Sequence, residues 1–284
     1  MNYVIHGATG AQGSPVVSAL AAAGRPVVAL TRRADAAVAG KGVRTATADY
    51  SSTERLTAAY RGAEGVFIHL PLGAEADRVR YAHNVVAAIR EASPSRVVFS
   101  TSGSGGGVLQ EPAGSAVSTL IGGLEAGDVP YAVIQPRLFL ENLLPQVTGA
   151  VREEGVLRYP LRADFPVSWS SHLDVADVAV ALFDRPDVSG TIAVGQLPAI
   201  TGPDLADALS AHLRREVSYE AITPSAFGAS IAPLFGEGPA AGVAGLYQAL
   251  GALTGNVIAP ERAAQTLLGV SPRTTGQWLA DIGR

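Results

Sequence analysis

The chain has 284 residues, a formal net charge of −4 and only 16% charged residues. This length is sufficient for one large α/β domain, or for a nucleotide-binding layer with a smaller lobe. The absence of cysteine excludes disulfides, thiolate nucleophiles and cysteine metal sites, and the absence of a lysine- or arginine-rich block argues against nucleic acid as a partner.

Short apolar runs and helix-length segments alternate through the first half of the chain. The predicted strands read NYVIH, PVVAL, VRTATA, GVFIHL, RVVFST and YAVIQ. Helical segments are predicted between them, at residues 15–23, 52–61, 74–92 and 113–126. Repeated alternation of strand and helix predicts an α/β fold, a Rossmann-type doubly wound parallel sheet with right-handed crossovers.

Two later helices and one helix start are predicted from local signals. Ser51 stands three residues before Glu54, which is the spacing of a capping box for the second helix. A helical stretch is expected over residues 138–153, and DVADVAVALF predicts a helix that begins at Asp174 or Asp177. Aspartate at a helix start is ordinarily a cap, so we favour a structural role for both carboxylates over an acid role.

The regular alternation of predicted strands and helices ends in the second half of the chain, and this suggests two parts. We predict a dinucleotide-binding domain over residues 1–155 and a smaller mixed C-terminal substrate lobe over residues 156–284. The second part is expected to complete part of the sheet within one compact unit. Its segment PLFGEGPAAGVAGLYQALGAL is rich in glycine and alanine and suited to enclosing a small molecule.

The N-terminus enters a strand at once, without the basic and apolar regions of a secretory leader. No apolar run approaches the length of a membrane span. We therefore expect a cytoplasmic protein that does not contact a membrane.

Three glycines follow the first strand in HGATGAQG, at Gly7, Gly10 and Gly13. This turn leads into the first predicted helix, so its backbone N–H groups and the positive end of the helix point to one place. A pyrophosphate fits that place. The alternative is an ordinary tight turn between a strand and a helix, without a ligand.

The residues at the end of the second strand indicate whether the ribose of such a ligand carries a 2′-phosphate. Dinucleotides without a 2′-phosphate are usually met there by Asp or Glu, whereas this chain has Thr31, Arg32 and Arg33. A charge-assisted arginine contact contributes about 1.5–3 kcal/mol. The pattern therefore favours NADPH over NADH, with two solvated surface arginines as the alternative.

Further polar residues end the next strands. Asp49 and Tyr50 end the third strand near the expected adenine, and His69, Leu70 and Pro71 end the fourth near the ribose and pyrophosphate. His69 is either a catalytic base or a histidine that packs against the cofactor. We favour the packing role.

Four segments carry a resemblance to a known family: GATGAQG, VVFSTSGSG, QPRLFLENLL and SSHLDVADVAVAL. The sequence resembles the atypical NmrA-like branch of the short-chain dehydrogenase/reductase superfamily over most of its length. The resemblance implies a Rossmann fold and an NADP(H) cofactor. The predicted cofactor site comprises Gly7, Thr9, Gly10, Ala11, Gln12, Gly13, Arg32, Arg33, Asp49, Tyr50, His69, Leu70, Pro71, Ser100, Thr101, Pro136 and Phe139.

The usual acid of this superfamily is missing. Typical members carry a Tyr-x-x-x-Lys pair in the fifth helix, where this chain has Ser118 and Gly122. Ser102 aligns with the family's catalytic serine or threonine, although a hydroxyl that satisfies local backbone is an equal alternative. General acid assistance is typically worth about 3–5 kcal/mol, and positioning of the reactants can supply about 7–11 kcal/mol. Catalysis without the pair is therefore feasible.

Two functions from different classes remain open. The first is an NADPH-dependent ketoreductase or quinone reductase for a bulky aromatic substrate, such as an angucyclinone ketone in antibiotic biosynthesis, with the proton taken from water or from the substrate. The second is a non-catalytic NADP(H) sensor, since the same branch includes redox regulators. Candidate substrate residues are Phe139, Trp169 and Tyr247. We expect no metal, and a monomer or homodimer.

Overall fold

The structure is a computed structural model, which describes residues 2–33, 38, 40–101, 111–145 and 149–283. Seven parallel strands form its main sheet, and all six strands predicted for the first half of the chain are among them. The strands are β1 (Asn2–Ile5), β2 (Val27–Thr31), β3 (Val43–Thr47), β4 (Ala63–His69), β5 (Val97–Ser100), β6 (Tyr131–Pro136) and β8 (Gly190–Val194).

The strand order is β3-β2-β1-β4-β5-β6-β8, so the order reverses beside β1. All five residues of β2 and all four of β5 are buried, as expected for strands that helices cover on both faces. Ligands of such open sheets bind at the carboxyl ends of the strands where the order reverses. The glycine turn after β1 lies at that point.

Helices cover both faces of this sheet. On one face α1 (Gly13–Ala22) packs against α6 (His172–Asp184), and on the other α2 (Thr53–Tyr60), α3 (Glu75–Ala92) and α4 (Ala116–Glu125) pack side by side. The remaining helices are α5 (Ala150–Glu154), α7 (Gly202–Leu213), α8 (Pro224–Phe235), α9 (Glu237–Gly251), α10 (Ala264–Leu268) and α11 (Thr275–Asp281), with 3-10 turns at Leu140–Leu143 and Pro260–Arg262. The α/β prediction is confirmed.

Several predicted boundaries were wrong. Ser51 does not cap α2, because its backbone N–H donates to Asp49 Oδ1 at 2.7 Å in the preceding turn, and Ser52 caps the helix instead. The described residues of the stretch 138–153 do not form one helix, since they include a 3-10 turn at Leu140–Leu143 and then α5 from Ala150. The helix α6 begins at His172, with Ser171 as its N-cap and Asp174 as the third residue of a capping box.

The C-terminal part supplies both sheet and lobe. Its strand β8 pairs with β6 in the main sheet. A second sheet joins β7 (Val156–Tyr159) to β9 (Ser218–Ala221) in parallel, and α7, α8, α9 and α11 pack with it around a separate apolar core. Large buried side chains of that core include Trp169, Trp278 and Tyr159.

Within the described ranges no helix is long and apolar enough to cross a membrane. Across the same residues no group of three or more His, Cys, Asp or Glu side chains could hold a metal ion.

Candidate active site

The glycine turn brings backbone close to backbone and to one imidazole ring. Gly7 adopts φ +58°, in the left-handed region, and a Cβ at this position would collide with the His69 ring. A Cβ at Gly13 would overlap the carbonyl oxygens of His6 and Gly7. The Gly10 N–H donates to the Gly7 carbonyl at 2.7 Å, which closes the turn directly before α1. Because Gly7 and Gly13 carry no side chains, the turn can present its backbone N–H groups and the helix N-terminus to a ligand.

Two histidines lie next to the glycine turn: His6 is buried, and His69 is half-buried with its ring against Gly7. His6 Nε2 lies 2.6 Å from the Tyr60 hydroxyl, and the His6 ring packs 4.8 Å from the Tyr50 ring. The Tyr50 hydroxyl donates to the His69 carbonyl oxygen. Burial lowers the pKa of His6 to about 3 and that of His69 to about 4. Both imidazoles are therefore neutral at physiological pH.

A polar cleft of about 510 Å³ opens beside the turn and is lined by Thr9, Thr31, Arg32 and Arg33. Both arginines are exposed, and the Thr31 hydroxyl donates to the Arg33 carbonyl at 2.8 Å. This hydrogen bond fixes the backbone where the two guanidinium groups branch off. The cleft therefore has the size and the charge for a phosphorylated ribose.

The neighbouring carboxylate of Asp49 belongs to its own turn. Hydrogen bonds from the Ser51 side chain and backbone lower the pKa of Asp49, and the positive charges of Arg55 and Arg32 add to the effect. Asp49 is therefore ionised and lies close enough to Arg32 to interact with it. The predicted adenine residues Asp49 and Tyr50 lie at the same edge as the arginine cleft, although Tyr50 is buried and bonded to His69.

The ends of β4 and β5 present unpartnered polar atoms. His69 Nε2 and Thr101 Oγ1 are buried and have no hydrogen-bond partner among the described residues. The Ser100 hydroxyl donates to Gln12 Oε1 at 2.7 Å and so links β5 to the start of α1. Unpaired buried polar atoms are costly. Together with a turn that excludes side chains, they fit a polar dinucleotide laid across this edge.

An apolar pocket of about 380 Å³ lies beyond this edge, between the 3-10 turn after β6 and the helices α8 and α9. It is lined by Leu72, Leu138, Phe139, Glu141, Asn142, Pro145, Phe227, Ile231, Phe235, Pro239, Val243, Leu246 and Tyr247. Of the predicted substrate residues, Phe139 and Tyr247 lie here. Trp169 does not line the pocket, because it is buried behind Tyr159 with ring centroids 5.5 Å apart.

A carboxylate and an imidazole stand where this pocket meets the sheet edge. Glu141 Oε1 accepts hydrogen bonds from the Ser171 hydroxyl at 2.7 Å, the His172 N–H at 3.1 Å and the Trp278 indole N–H at 3.3 Å. The His172 ring packs against Phe139 in a tilted geometry, with ring centroids 4.3 Å apart, and its Nδ1 lies 3.8 Å from the same oxygen. Burial lowers the pKa of His172, and Glu141 opposes that effect.

Helix α4 corresponds to the helix that carries the tyrosine and lysine in typical members of the superfamily. In this chain neither position offers a replacement acid. The Ser118 hydroxyl is engaged within its own turn, where it donates to the Ser115 carbonyl at 3.0 Å. Gly122 is exposed on the same helix. Ser102, the aligned serine, lies outside the described residues.

Sequence reasoning missed Glu141, His172 and most of the pocket wall. Glu141 lies in the FLENLL stretch that carries the resemblance, and His172 lies within SSHLDVADVAVAL, where it is the first residue of α6. Nothing in their local sequence indicates that they meet, because they come from segments 31 residues apart. Asp174, expected to be structural, is an N3 carboxylate that also pairs with Arg273 at 2.8 Å.

The family profile of the NmrA-like family matches residues 2–264. An NAD(P)H azoreductase from Xenophilus azovorans is 32% identical over 225 residues, covering 78% of this chain and 77% of that protein. The NADPH complex of an Escherichia coli quinone oxidoreductase superposes with a TM-score of 0.75 at 19% identity over both whole chains. A Citrobacter triphenylmethane reductase with NADP(H) gives 0.79 at 18% identity over 98% of each chain. The chain is a member of the NmrA-like family.

Proposed function

We propose that this protein is an NADPH-dependent reductase that passes hydride to a carbonyl or quinone of a bulky aromatic acceptor held in the apolar pocket. The observation that carries the proposal is that three features lie at the carboxyl ends of the strands: a glycine turn without room for side chains at Gly7 and Gly13, an arginine cleft, and an apolar pocket. Membership of the family and the azoreductase relative support the coarser statement, an oxidoreductase that uses NADP(H).

Named residues fit the cofactor in three places. The backbone N–H groups after Gly7 would hold the pyrophosphate, and Arg32 and Arg33 the 2′-phosphate of the ribose. The unpartnered atoms of His69 and Thr101 would take up polar groups at the strand ends. When bound, NADPH supplies the hydride.

The pocket favours a neutral aromatic acceptor over an anionic one. Its lining contains no arginine or lysine among the described residues, and the sequence of residues 102–110 and 146–148 contains none either. The charged group in that lining is the carboxylate of Glu141. The walls of Phe139, Ile231 and Leu246 exclude water, so an acceptor is held in register by its own apolar surface.

The alternative function is an NADP(H) sensor without turnover. Its support is the missing Tyr/Lys pair, with Ser118 and Gly122 in those places. Against it stands the pocket of about 380 Å³, whose apolar walls adjoin the proposed cofactor edge. A sensor has no use for a cavity of this kind beside its dinucleotide. We therefore retain the reductase as the conclusion.

The test is a turnover assay on the purified chain. NADPH oxidation is followed by absorbance with a panel of quinones and polycyclic ketones, and NADPH affinity is measured by calorimetry in parallel. The reductase predicts turnover with at least one neutral aromatic acceptor and no turnover with its sulfonated analogue. Tight NADPH binding without turnover on the whole panel would support the sensor instead.

A further inference from the structure

The reduction of a neutral carbonyl needs a proton as well as a hydride, and α4 has neither tyrosine nor lysine to give it. A replacement must stand at the mouth of the apolar pocket, next to the proposed cofactor edge. His172 packs against Phe139, one of the residues that line this pocket. The two ring centroids are 4.3 Å apart at an interplanar angle of 52°. Burial is the main cause of the lowered pKa of His69, and the charge of His172 adds to it. His69 in turn lies against Gly7.

The other groups with exchangeable protons near the pocket are less suitable. The Tyr247 hydroxyl is bonded to the Tyr159 hydroxyl, and burial raises the pKa of Tyr247 to about 12. Tyr50 is buried, and its hydroxyl donates to the His69 carbonyl. His69 Nε2 faces the glycine turn, on the side proposed for the dinucleotide.

Glu141 holds the imidazole of His172 in place. Its Oε1 atom is fixed by three donors, one of them the backbone N–H of His172 itself, and lies 3.8 Å from His172 Nδ1. A carboxylate at this distance favours the protonated imidazole. The arrangement is a histidine whose ring is oriented by packing against Phe139 and whose protonated form has a carboxylate at a fixed distance.

We propose that His172, oriented by Glu141, is the catalytic acid that supplies the proton when this chain reduces a neutral carbonyl or quinone. This inference rests on the proposed reductase function. The acceptor carbon gains a hydride with its electron pair from NADPH, which becomes NADP⁺, and the C=O π pair moves to oxygen. That oxygen takes the proton from the His172 imidazolium, whose N–H bond breaks. The neutral imidazole regains a proton from water.

The pH dependence follows from the groups that face His172. Among the described residues these are Glu141 from the 3-10 turn and His69 from the end of β4, while Asp174 on its own helix is paired with Arg273. Burial lowers the pKa of His172, which Glu141 partly offsets. Because the acid form is the active one, kcat is high at low pH and falls as pH rises through the pKa of His172.

Two hydride acceptors, one that needs a proton and one that does not, distinguish a proton-donating role of His172 from a structural role. The variant H172F keeps a ring on Phe139 and removes the proton, and H172Q serves as a second variant if the first does not fold. Each is assayed with NADPH on 9,10-phenanthrenequinone, which needs a proton, and on cationic malachite green, which accepts hydride without one. For the quinone we expect kcat to fall by about 10²-fold with a flat pH profile. For the cationic dye, which takes up no proton, we expect a loss that is much smaller than the loss for the quinone.

A readout without turnover tests the role of Glu141. The chain has five histidines, and comparison with H172F identifies the ring signal of His172 in an NMR titration of the free protein. In E141Q this signal should titrate at lower pH than in wild type, because the counterion is gone while the Oε1 acceptor remains. An unshifted titration would overturn the positioning role.

Equal losses on both acceptors, or unchanged quinone turnover in H172F, would show that His172 is structural and that water is the proton source. A wild-type protein that binds NADPH but reduces neither acceptor would overturn the reductase function itself.

Discussion

The glycine turn and the apolar pocket lie at one edge of the molecule but are built from different parts of the chain. The turn is backbone from residues 6–13, with a position where even a methyl group collides with His69. The pocket is made of side chains from β4–α3, the 3-10 turn, α8 and α9. A site made of backbone tolerates few substitutions, whereas a site made of side chains can change its ligand by changing volumes.

Substitution of the turn should have the largest effect. Gly7→Ala places a Cβ in a left-handed conformation and against the His69 ring. The conformation alone costs about 1–2 kcal/mol of unfolding free energy, and we expect NADPH binding to fall below detection by calorimetry. The control is Gly122→Ala on α4, where an added Cβ meets nothing within 4 Å. Retained NADPH affinity in Gly7→Ala would refute the pyrophosphate site.

Acid should destabilise the protein through the two histidines beside the glycine turn. The folded-state pKa values of His6, about 3, and His69, about 4, lie below the unfolded value of 6.5. The unfolded chain therefore binds more protons between these limits, and stability is lost as pH falls below 6.5. Each histidine contributes up to about 1.4 kcal/mol per pH unit.

Urea titrations at pH 7 and pH 5 measure this loss. In His6→Phe the dependence on pH should become shallower, whereas in His83→Ala, which changes an exposed histidine, it should equal that of wild type. Equal slopes in all three proteins would contradict the buried neutral state of His6.

The arginine cleft should contribute selectivity rather than stability. In the double variant Arg32→Ala/Arg33→Ala, lost charge-assisted contacts should weaken NADPH binding by about 10- to 100-fold. NADH affinity should stay at its wild-type value, because NADH carries no 2′-phosphate. Arg44→Ala, an exposed arginine on β3, is the matched control. An equal loss of affinity for NADPH and NADH would show that the 2′-phosphate does not bind in this cleft.

A larger side chain in the pocket wall should have the smallest of these effects. Val243→Trp inserts a large ring into the pocket wall and should lower kcat/KM for a polycyclic quinone by about tenfold, with NADPH affinity unchanged. Leu234→Trp, on an exposed position of α8 that does not line the pocket, is the control. If the two variants behave alike, the acceptor does not bind in this pocket.

Local sequence determined the sheet side of this protein. Apolar runs separated by helix-length segments predicted the strands, because a strand covered on both faces is largely apolar. β2 and β5 are fully buried and apolar except for Thr31 and Ser100 at their carboxyl ends. Local competition was harder to predict. Ser51 donates its backbone N–H to Asp49 in the turn before α2, and Ser52 is the N-cap of the helix.

The lobe shows the limit of such reasoning. Phe139 and Tyr247 were placed as substrate residues and do line the pocket, but Trp169, chosen on the same grounds, is buried behind Tyr159. The local sequence pattern of an aromatic side chain is the same whether that side chain lines a cavity or fills a core, so the pattern cannot distinguish the two. The predicted cofactor contacts of the edge stay a prediction until a ligand is measured.

The sequence by itself determined the α/β sheet, the turn that excludes side chains and the arginines beside it, because each depends on residues that are neighbours in the chain. Only the tertiary structure decided that Glu141 and His172 meet, that His69 covers Gly7, and that α8 and α9 enclose an apolar cavity. Contacts between distant segments depend on how the helices pack onto the sheet. That packing is a property of the whole chain.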